Sequence, residues 1–174
     1  MSISTHYMIL CFTFVALSSP VSASDCNEDW EDASDVGLGY LWFETSETMT
    51  YGSAVTFCEN RNSRLIEIDS YKQMSYIVHK LRTASSDWWT SAWGTLWWGG
   101  ATDRAQEGAW RWTQSGAAVQ NFVWRVGEPN NKGGYEDYFC FFKSFHDDDG
   151  SEDSFFGNDC SYSSEGYPLC QQKM

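Results

Sequence analysis

The chain has 174 residues, with 24 acidic and 11 basic side chains for a formal net charge of −13, six cysteines, and ten Trp, nine Tyr and eleven Phe. That length accommodates one domain or two very small ones. So acidic a chain excludes nucleic-acid binding and polybasic attachment to anionic membranes, which need basic surface, and its aromatic content argues against the disorder that high charge otherwise signals.

Residues 1–23 read as a signal peptide. Met8 to Leu17 is an apolar run too short to span a bilayer, and it is followed by Ser18-Ser19-Pro20 and Val21-Ser22-Ala23, small residues suited to cleavage. The segment before the run lacks Lys and Arg, so a buried N-terminal helix is the competing reading. The expectation is a secreted, extracellular protein beginning near Ser24, with no membrane insertion.

Asp25 to Asp35 holds six acids and no base, which makes residues 24–38 an acidic N-terminal arm and residues 39–174 the folded domain. Gly39 to Phe43 reads as a short strand. Ser53 to Arg61 reads as a helix with Ala54, Phe57 and Cys58 on one side. Ser70 to Thr83 reads as a second helix, N-capped by Ser70, with Met74, Ile77, Val78 and Leu81 at helical spacing. From Asp87 onward the helical period vanishes and short strands alternate with Gly-, Asn-, Asp- and Trp-rich loops. Helices first and strands afterward give an α+β class.

In an oxidising compartment the five cysteines left after Cys11 form two disulfides and leave one thiol. No Cys-x-x-Cys pair is present, so a structural zinc site is not expected. His79 and His146 are the only histidines beyond the leader, and neither stands in a recognisable catalytic setting.

The strand-and-loop half carries the chemistry. Glu128-Pro129-Asn130 puts an oxygen ligand on each side of a proline, Glu136-Asp137 follows, and Asn158-Asp159 comes later. Carboxylates with side-chain amides, and neither imidazole nor thiolate, form the ligand set of a hard cation such as Ca²⁺. The spacing is not that of an EF-hand. Loop acids taken alone are more often merely solvated.

In their joint order these landmarks resemble the C-type lectin-like domain family, from about Cys26 to Gln172. Ala54-Val55-Thr56-Phe57-Cys58 resembles the first-helix cysteine motif, Leu96-Trp97-Trp98-Gly99-Gly100 the core Trp-Ile-Gly-Leu motif, and Glu107-Gly108-Ala109-Trp110-Arg111-Trp112 the next strand. Phe122, Trp124 and Gly127 lead into Glu-Pro-Asn as in that family. The resemblance implies two helices, small antiparallel sheets and a long irregular calcium-binding loop region. It implies a cis Glu128–Pro129 bond and a primary Ca²⁺ site, also the sugar site, formed by Glu128, Asn130, Glu136, Asn158 and Asp159. Two vicinal sugar hydroxyls would ligate the ion, one served by Glu128 with Asn130 and the other by Glu136 with Asn158. Glu-Pro-Asn implies equatorial 3- and 4-hydroxyls, as in mannose, fucose, glucose or N-acetylglucosamine. An auxiliary Ca²⁺ position falls on Asp103, Glu107, Asn131 and Asp137. Asn131 stands where many members have an acid, so these four either bind a weaker ion or only brace the loop.

The sequence also departs from the family. Its Trp-Asn-Asp is Gly157-Asn158-Asp159 here, following Phe156, so the tryptophan is lost. An acidic insertion lies at 145–154. The family's short-loop cysteines would fall at Tyr138 and Tyr162, whereas this chain has Cys140 and Cys160. Antiparallel strands that pair Tyr138 with Tyr162 would also set Cys140 opposite Cys160, on the same face. The resemblance thus implies Cys140–Cys160 and Cys58–Cys170, with Tyr138 against Tyr162. It leaves Cys26 unpaired, because its expected partner position is Gly39, and an intermolecular disulfide giving a homodimer follows as an expectation. Trp97, Trp98, Trp110 and Trp112 match core motifs, whereas Trp88, Trp89 and Trp93 are the candidates for exposed contacts.

The expected function is calcium-dependent carbohydrate binding, the ligand being a sugar or glycoconjugate. A calcium-dependent binder of protein, lipid or ice on the same fold is the alternative. An enzyme is not expected, since no metalloprotease helix, nucleophile elbow or His-centred triad is present.

Overall fold

The computed structural model describes residues 30–83, 96–143 and 155–172. The signal-peptide reading, Cys26, Trp88, Trp89 and Trp93, and the acidic insertion at 145–154 lie outside the described residues.

The elements in chain order are β1 (Glu31–Asp32), β2 (Tyr40–Phe43), α1 (Tyr51–Glu59), β3 (Arg64–Leu65), α2 (Tyr71–Thr83), β4 (Leu96–Thr102), β5 (Arg111–Trp112), β6 (Tyr138–Lys143), β7 (Phe155–Cys160) and β8 (Tyr167–Gln172). The strand order is β1-β2-β8-β4-β6-β7, with β3 also on β8 and β5 also on β4. Only the β4–β8 pairing among these strands is parallel. This is an α+β fold, and both helices form where the apolar spacing places them. In α2, Met74, Ile77 and Leu81 are buried, and the Ser70 hydroxyl accepts the Gln73 N–H at 3.3 Å as the expected cap. Each such side chain withdrawn from water contributes about 1.5–3 kcal/mol. In α1, Ala54 and Cys58 are buried, while Phe57 carries the Arg61 guanidinium over its ring at 3.5 Å.

The acidic arm expected over 24–38 is anchored along its described part. Glu31 and Asp32 pair with Leu41 and Tyr40. Glu31 binds Lys80 at 2.5 Å and accepts a hydrogen bond from Tyr76. Ala33 and Leu38 are buried in the main core. Counting acids hides this, because two apolar residues set the packing while Asp32 and Asp35 stay at the surface.

Cys58–Cys170 ties α1 to β8, and Cys140–Cys160 ties β6 to β7. The pairing agrees with expectation, but the register does not. Tyr138 stands opposite Cys160 and Cys140 opposite Asn158, two residues away from the register that would set the cysteines face to face. The bridge runs diagonally over a Cα–Cα distance of 6.1 Å, within disulfide reach. A two-residue slip keeps every side chain on its own face, so the Tyr138–Tyr162 contact also forms, with ring centroids 5.7 Å apart.

The observed register lays the Phe139 ring across Gly157. A Cβ at Gly157 would sit 2.4 Å from that ring and 2.4 Å from the Val123 carbonyl. The family's tryptophan therefore has no room here. Its packing is supplied from the other strands: Phe139 meets Trp112, Trp124 and Phe141 edge-on, and Trp124 meets Trp110. This aromatic cluster lies under the loop that carries Glu128 to Asp137.

Candidate functional site

Three stretches of chain converge. The first follows β4 and holds Asp103 and Glu107, the second is the loop from Glu128 to Asp137, and the third is Asn158-Asp159 in β7. The loop enters through a turn in which the Glu128 N–H binds the Arg125 carbonyl at 3.0 Å and Gly127 takes φ 92. Glu128–Pro129 is cis, as expected.

Asn131 organises the loop. It adopts φ 44, a left-handed conformation that Asn tolerates better than most residues. Its backbone N–H donates to Asp159 Oδ2 at 2.5 Å, its Nδ2 donates to Glu107 Oε2 at 2.5 Å, and its Oδ1 accepts the Glu136 N–H at 3.1 Å. One residue, through its backbone N–H and its side chain together, thus joins all three stretches. Of the two readings of the auxiliary set, bracing is directly seen for Asn131. An aspartate in its place would have no N–H to offer Glu107.

The primary set is brought together unevenly. Asn130 Nδ2 donates to Glu128 Oε2 at 2.7 Å, so the acid–amide couple flanking the proline is formed. Asp159 is wholly buried beneath it. Glu136 accepts the Lys132 N–H at 2.6 Å, while Asn158 Nδ2 turns to the Asp159 carbonyl at 3.0 Å. Glu136 and Asn158 are therefore not joined as the second couple. In the auxiliary set, Asp103 Oδ2 accepts the Gly108 N–H at 2.8 Å. The Asp137 carbonyl accepts from the Asp103 N–H at 3.3 Å and from the Thr102 hydroxyl at 2.7 Å.

The carboxylates crowd one another. Burial, then the facing Asp159 carboxylate, then the charge of Glu136 push Glu128 up to about 7. Burial raises Glu136 as well, with Asp159 adding to the rise against the Lys132 N–H. Burial raises Asp103, helped by the charges of Glu107 and Asp137 and opposed by the Gly108 N–H.

The fit of this set to a cation turns on two atoms. Asp159 Oδ1 and Asp103 Oδ1 are buried without a hydrogen-bond donor among the described residues, one in each expected site. A buried carboxylate oxygen left unpaired is costly, and a hard cation satisfies it. Among the described residues no three acid, His or Cys side chains converge closely enough to form an ion cage by themselves. The donor set fits a cation only with the Asn amide oxygens included; the Asn130 and Asn131 amides donate to the carboxylates of Glu128 and Glu107, and the Asn158 amide to the Asp159 backbone carbonyl.

Sequence reasoning missed two features. Glu67 is buried yet receives the Gln114 and Ser115 N–H groups at 2.7 and 3.0 Å; it pins the turn after β5 and carries no ligand role. The second is a groove beside Glu128, lined by Arg111 and Arg125. Neither has a local motif, since both arise from residues far apart in sequence.

The family model of the Lectin C-type domain matches residues 47–170. Hepatic lectin from Gallus gallus is 33% identical over 100 residues, which cover 57% of this chain and 43% of that protein. The chain thus spans less than half the length of this relative. The structure of the C-type lectin CEL-I from Cucumaria echinata superposes with a TM-score of 0.64 at 24% identity, over 84% of this chain and 96% of that one. A calcium-independent type II antifreeze protein superposes with a TM-score of 0.60 at 20% identity, over 85% and 94%. Family members are binding proteins, not enzymes. No described helix is long and apolar enough to cross a membrane. The match over residues 47–170 and the shared fold place this chain in the C-type lectin domain family.

Proposed function

We propose that the protein is a secreted, calcium-dependent lectin for mannose-type sugars. The observation that carries this reading is the Glu128–Asn130 couple above the unpaired, buried oxygen of Asp159. Glu128, Asn130, Glu136, Asn158 and Asp159 would hold the primary ion, and Asp103, Glu107 and Asp137, braced by Asn131, an auxiliary one. A bound Ca²⁺ would attract vicinal hydroxyl oxygens as a hard Lewis acid and neutralise the crowded acids. A hydroxyl both donates and accepts, so Glu128 would accept the hydrogen bond of its O–H while Asn130 Nδ2 donates a hydrogen bond to its oxygen. That requires the Asn130 N–H to leave Glu128. Glu136 and Asn158 serve the second hydroxyl after Asn158 turns from the Asp159 carbonyl.

The likeness to the antifreeze protein keeps a non-sugar ligand as the second reading. The acid–amide couple of Glu128 and Asn130 favours sugar over a calcium-dependent binder of protein, lipid or ice, since a sugar hydroxyl uses an acceptor and a donor at once. A glycan array run in calcium and in chelator separates the two. Binding of mannose-type glycans in calcium alone supports the lectin, whereas no glycan bound in calcium removes it. We read Cys26 as the intermolecular link of a homodimer, which multivalent binding would exploit; a band at monomer mass on a non-reducing gel refutes that.

A further inference from the structure

A groove of about 500 Å³ opens beside the Glu-Pro-Asn turn, lined among others by Trp110, Arg111, Trp124, Arg125, Glu128 and Pro129. Its size lies within the range of small-molecule sites. Glu128 and Pro129 belong both to this groove and to the turn of the primary site, so a ligand held at one runs directly into the other. The floor is apolar and rigid: Trp110 and Trp124 meet edge to face with centroids 4.7 Å apart, and Trp124 rests in turn on Phe139.

The walls are unusual for this molecule. In a chain of net charge −13 with only 11 basic residues, two arginines line this groove beside the site. Arg111 is exposed on β5, where its backbone is paired with Thr102 and Ala118. Its guanidinium makes no hydrogen bond or ion pair among the described residues. Arg125 begins the turn into Glu128, its N–H bound to the Gly157 carbonyl at 2.9 Å. Among the described residues Glu128 is the only acid on the groove wall, and the proposed function commits that acid to the cation. A guanidinium presents a planar fork matched to the oxygens of a carboxylate or an oxyacid ester.

Building on the proposed lectin activity, we infer that this groove is an extended subsite that takes the second residue of an oligosaccharide and selects one carrying an anionic group, a sulfate ester or a carboxylate. The terminal mannose-type residue sits at Glu128 and Asn130, the next residue lies over the tryptophan floor, and its anion meets Arg111. The molecule's overall negative charge still repels long polyanions. The groove therefore favours a single acidic group on a sugar already anchored at the turn.

The test measures affinity of the full chain, in calcium, for three mannose-terminated disaccharides with a neutral, a sulfated or a uronic second residue. The expected result is about fivefold tighter binding of an anionic ligand than of the neutral one, the scale of an exposed ion pair. That ratio should fall as salt rises. The sulfated and uronic arms tell which oxyanion is preferred. Arg111→Gln should bring the ratio toward one, and Arg111→Glu should bring it below one; binding of the neutral ligand reports that each variant is folded. Equal affinity for all three disaccharides in the unaltered protein overturns the subsite and leaves the lectin reading standing. A ratio that survives both Arg111 substitutions moves the anion elsewhere and overturns the assignment. No binding of any disaccharide in calcium overturns the subsite together with the reading it rests on.

Discussion

Phe139 lies across Gly157 so closely that no side chain fits at the glycine, a Cβ there falling 2.4 Å from the ring. The two residues sit on neighbouring antiparallel strands, and their contact replaces the tryptophan that the family carries at this point. Gly157→Ala should lower stability by about 1–3 kcal/mol, the range for overpacking a core. Thermal melting checks this, and an unchanged midpoint would show that the Phe139 ring can step aside.

Calcium should stabilise the native protein through Asp159. At a hundredfold excess over the dissociation constant, one bound ion adds about 2.7 kcal/mol. The midpoint should rise by several degrees in the unaltered protein, and Asp159→Asn should abolish most of that rise. An equal rise in the variant would place the ion away from Asp159.

The pH dependence has opposite signs with and without calcium. Glu128 is raised from 4.5 to about 7 by burial, the facing Asp159 and Glu136, so in chelator the native state holds a proton that the unfolded chain has lost between these values. Stability is then greater near pH 4.5 and falls as pH rises through about 7. Glu136 and Asp103 are raised too and act in the same direction. Calcium needs deprotonated ligands, so its affinity should weaken as pH drops below about 7. Melting curves in chelator and in calcium between pH 5 and 8 should diverge; parallel curves would contradict the crowding of these carboxylates.

Exchanging the acid and the amide around Pro129, by Glu128→Gln with Asn130→Asp, should weaken mannose-type binding. The swap reverses which side of the hydroxyl finds a donor, and preference should move toward galactose. Competition with free monosaccharides measures it. Undiminished mannose binding would place the sugar away from this turn.

The two disulfides should differ in worth. Cys58–Cys170 spans 112 residues and Cys140–Cys160 spans 20. On the chain-entropy argument, removing the first should cost about 4–5 kcal/mol and removing the second about 3 kcal/mol. Denaturant titration of paired Cys→Ser variants tests the order, and a reversed order would show that native packing outweighs loop closure.

Much of this was legible locally. Met74, Ile77 and Leu81 announce a helix face because burial follows the helical period, and Glu-Pro-Asn announces the Glu128–Asn130 couple because the acid and the amide flank one proline. The β6–β7 register was not legible. Positions two residues apart share a face, so the sequence cannot distinguish an opposed cysteine pair from a diagonal one; the space at Gly157 goes with the observed choice. The packing of Ala33 and Leu38 was hidden by the acids around them. Nothing near Asn131 in sequence told that its amide would reach Glu107. The groove was invisible for the same reason, since Arg111 and Arg125 meet only when β5 folds beside the turn.

The three hydrogen bonds of Asn131 make it a hinge pin between the primary and auxiliary residue sets proposed above, which would otherwise be separate. Its N–H fixes Asp159 of the primary set and its amide fixes Glu107 of the auxiliary set. Any ion that draws Glu107 outward pulls on the same residue that orients Asp159. If both proposed ions bind, the two positions would communicate mechanically through this one residue, and filling one would change the affinity of the other by a factor that is reciprocal.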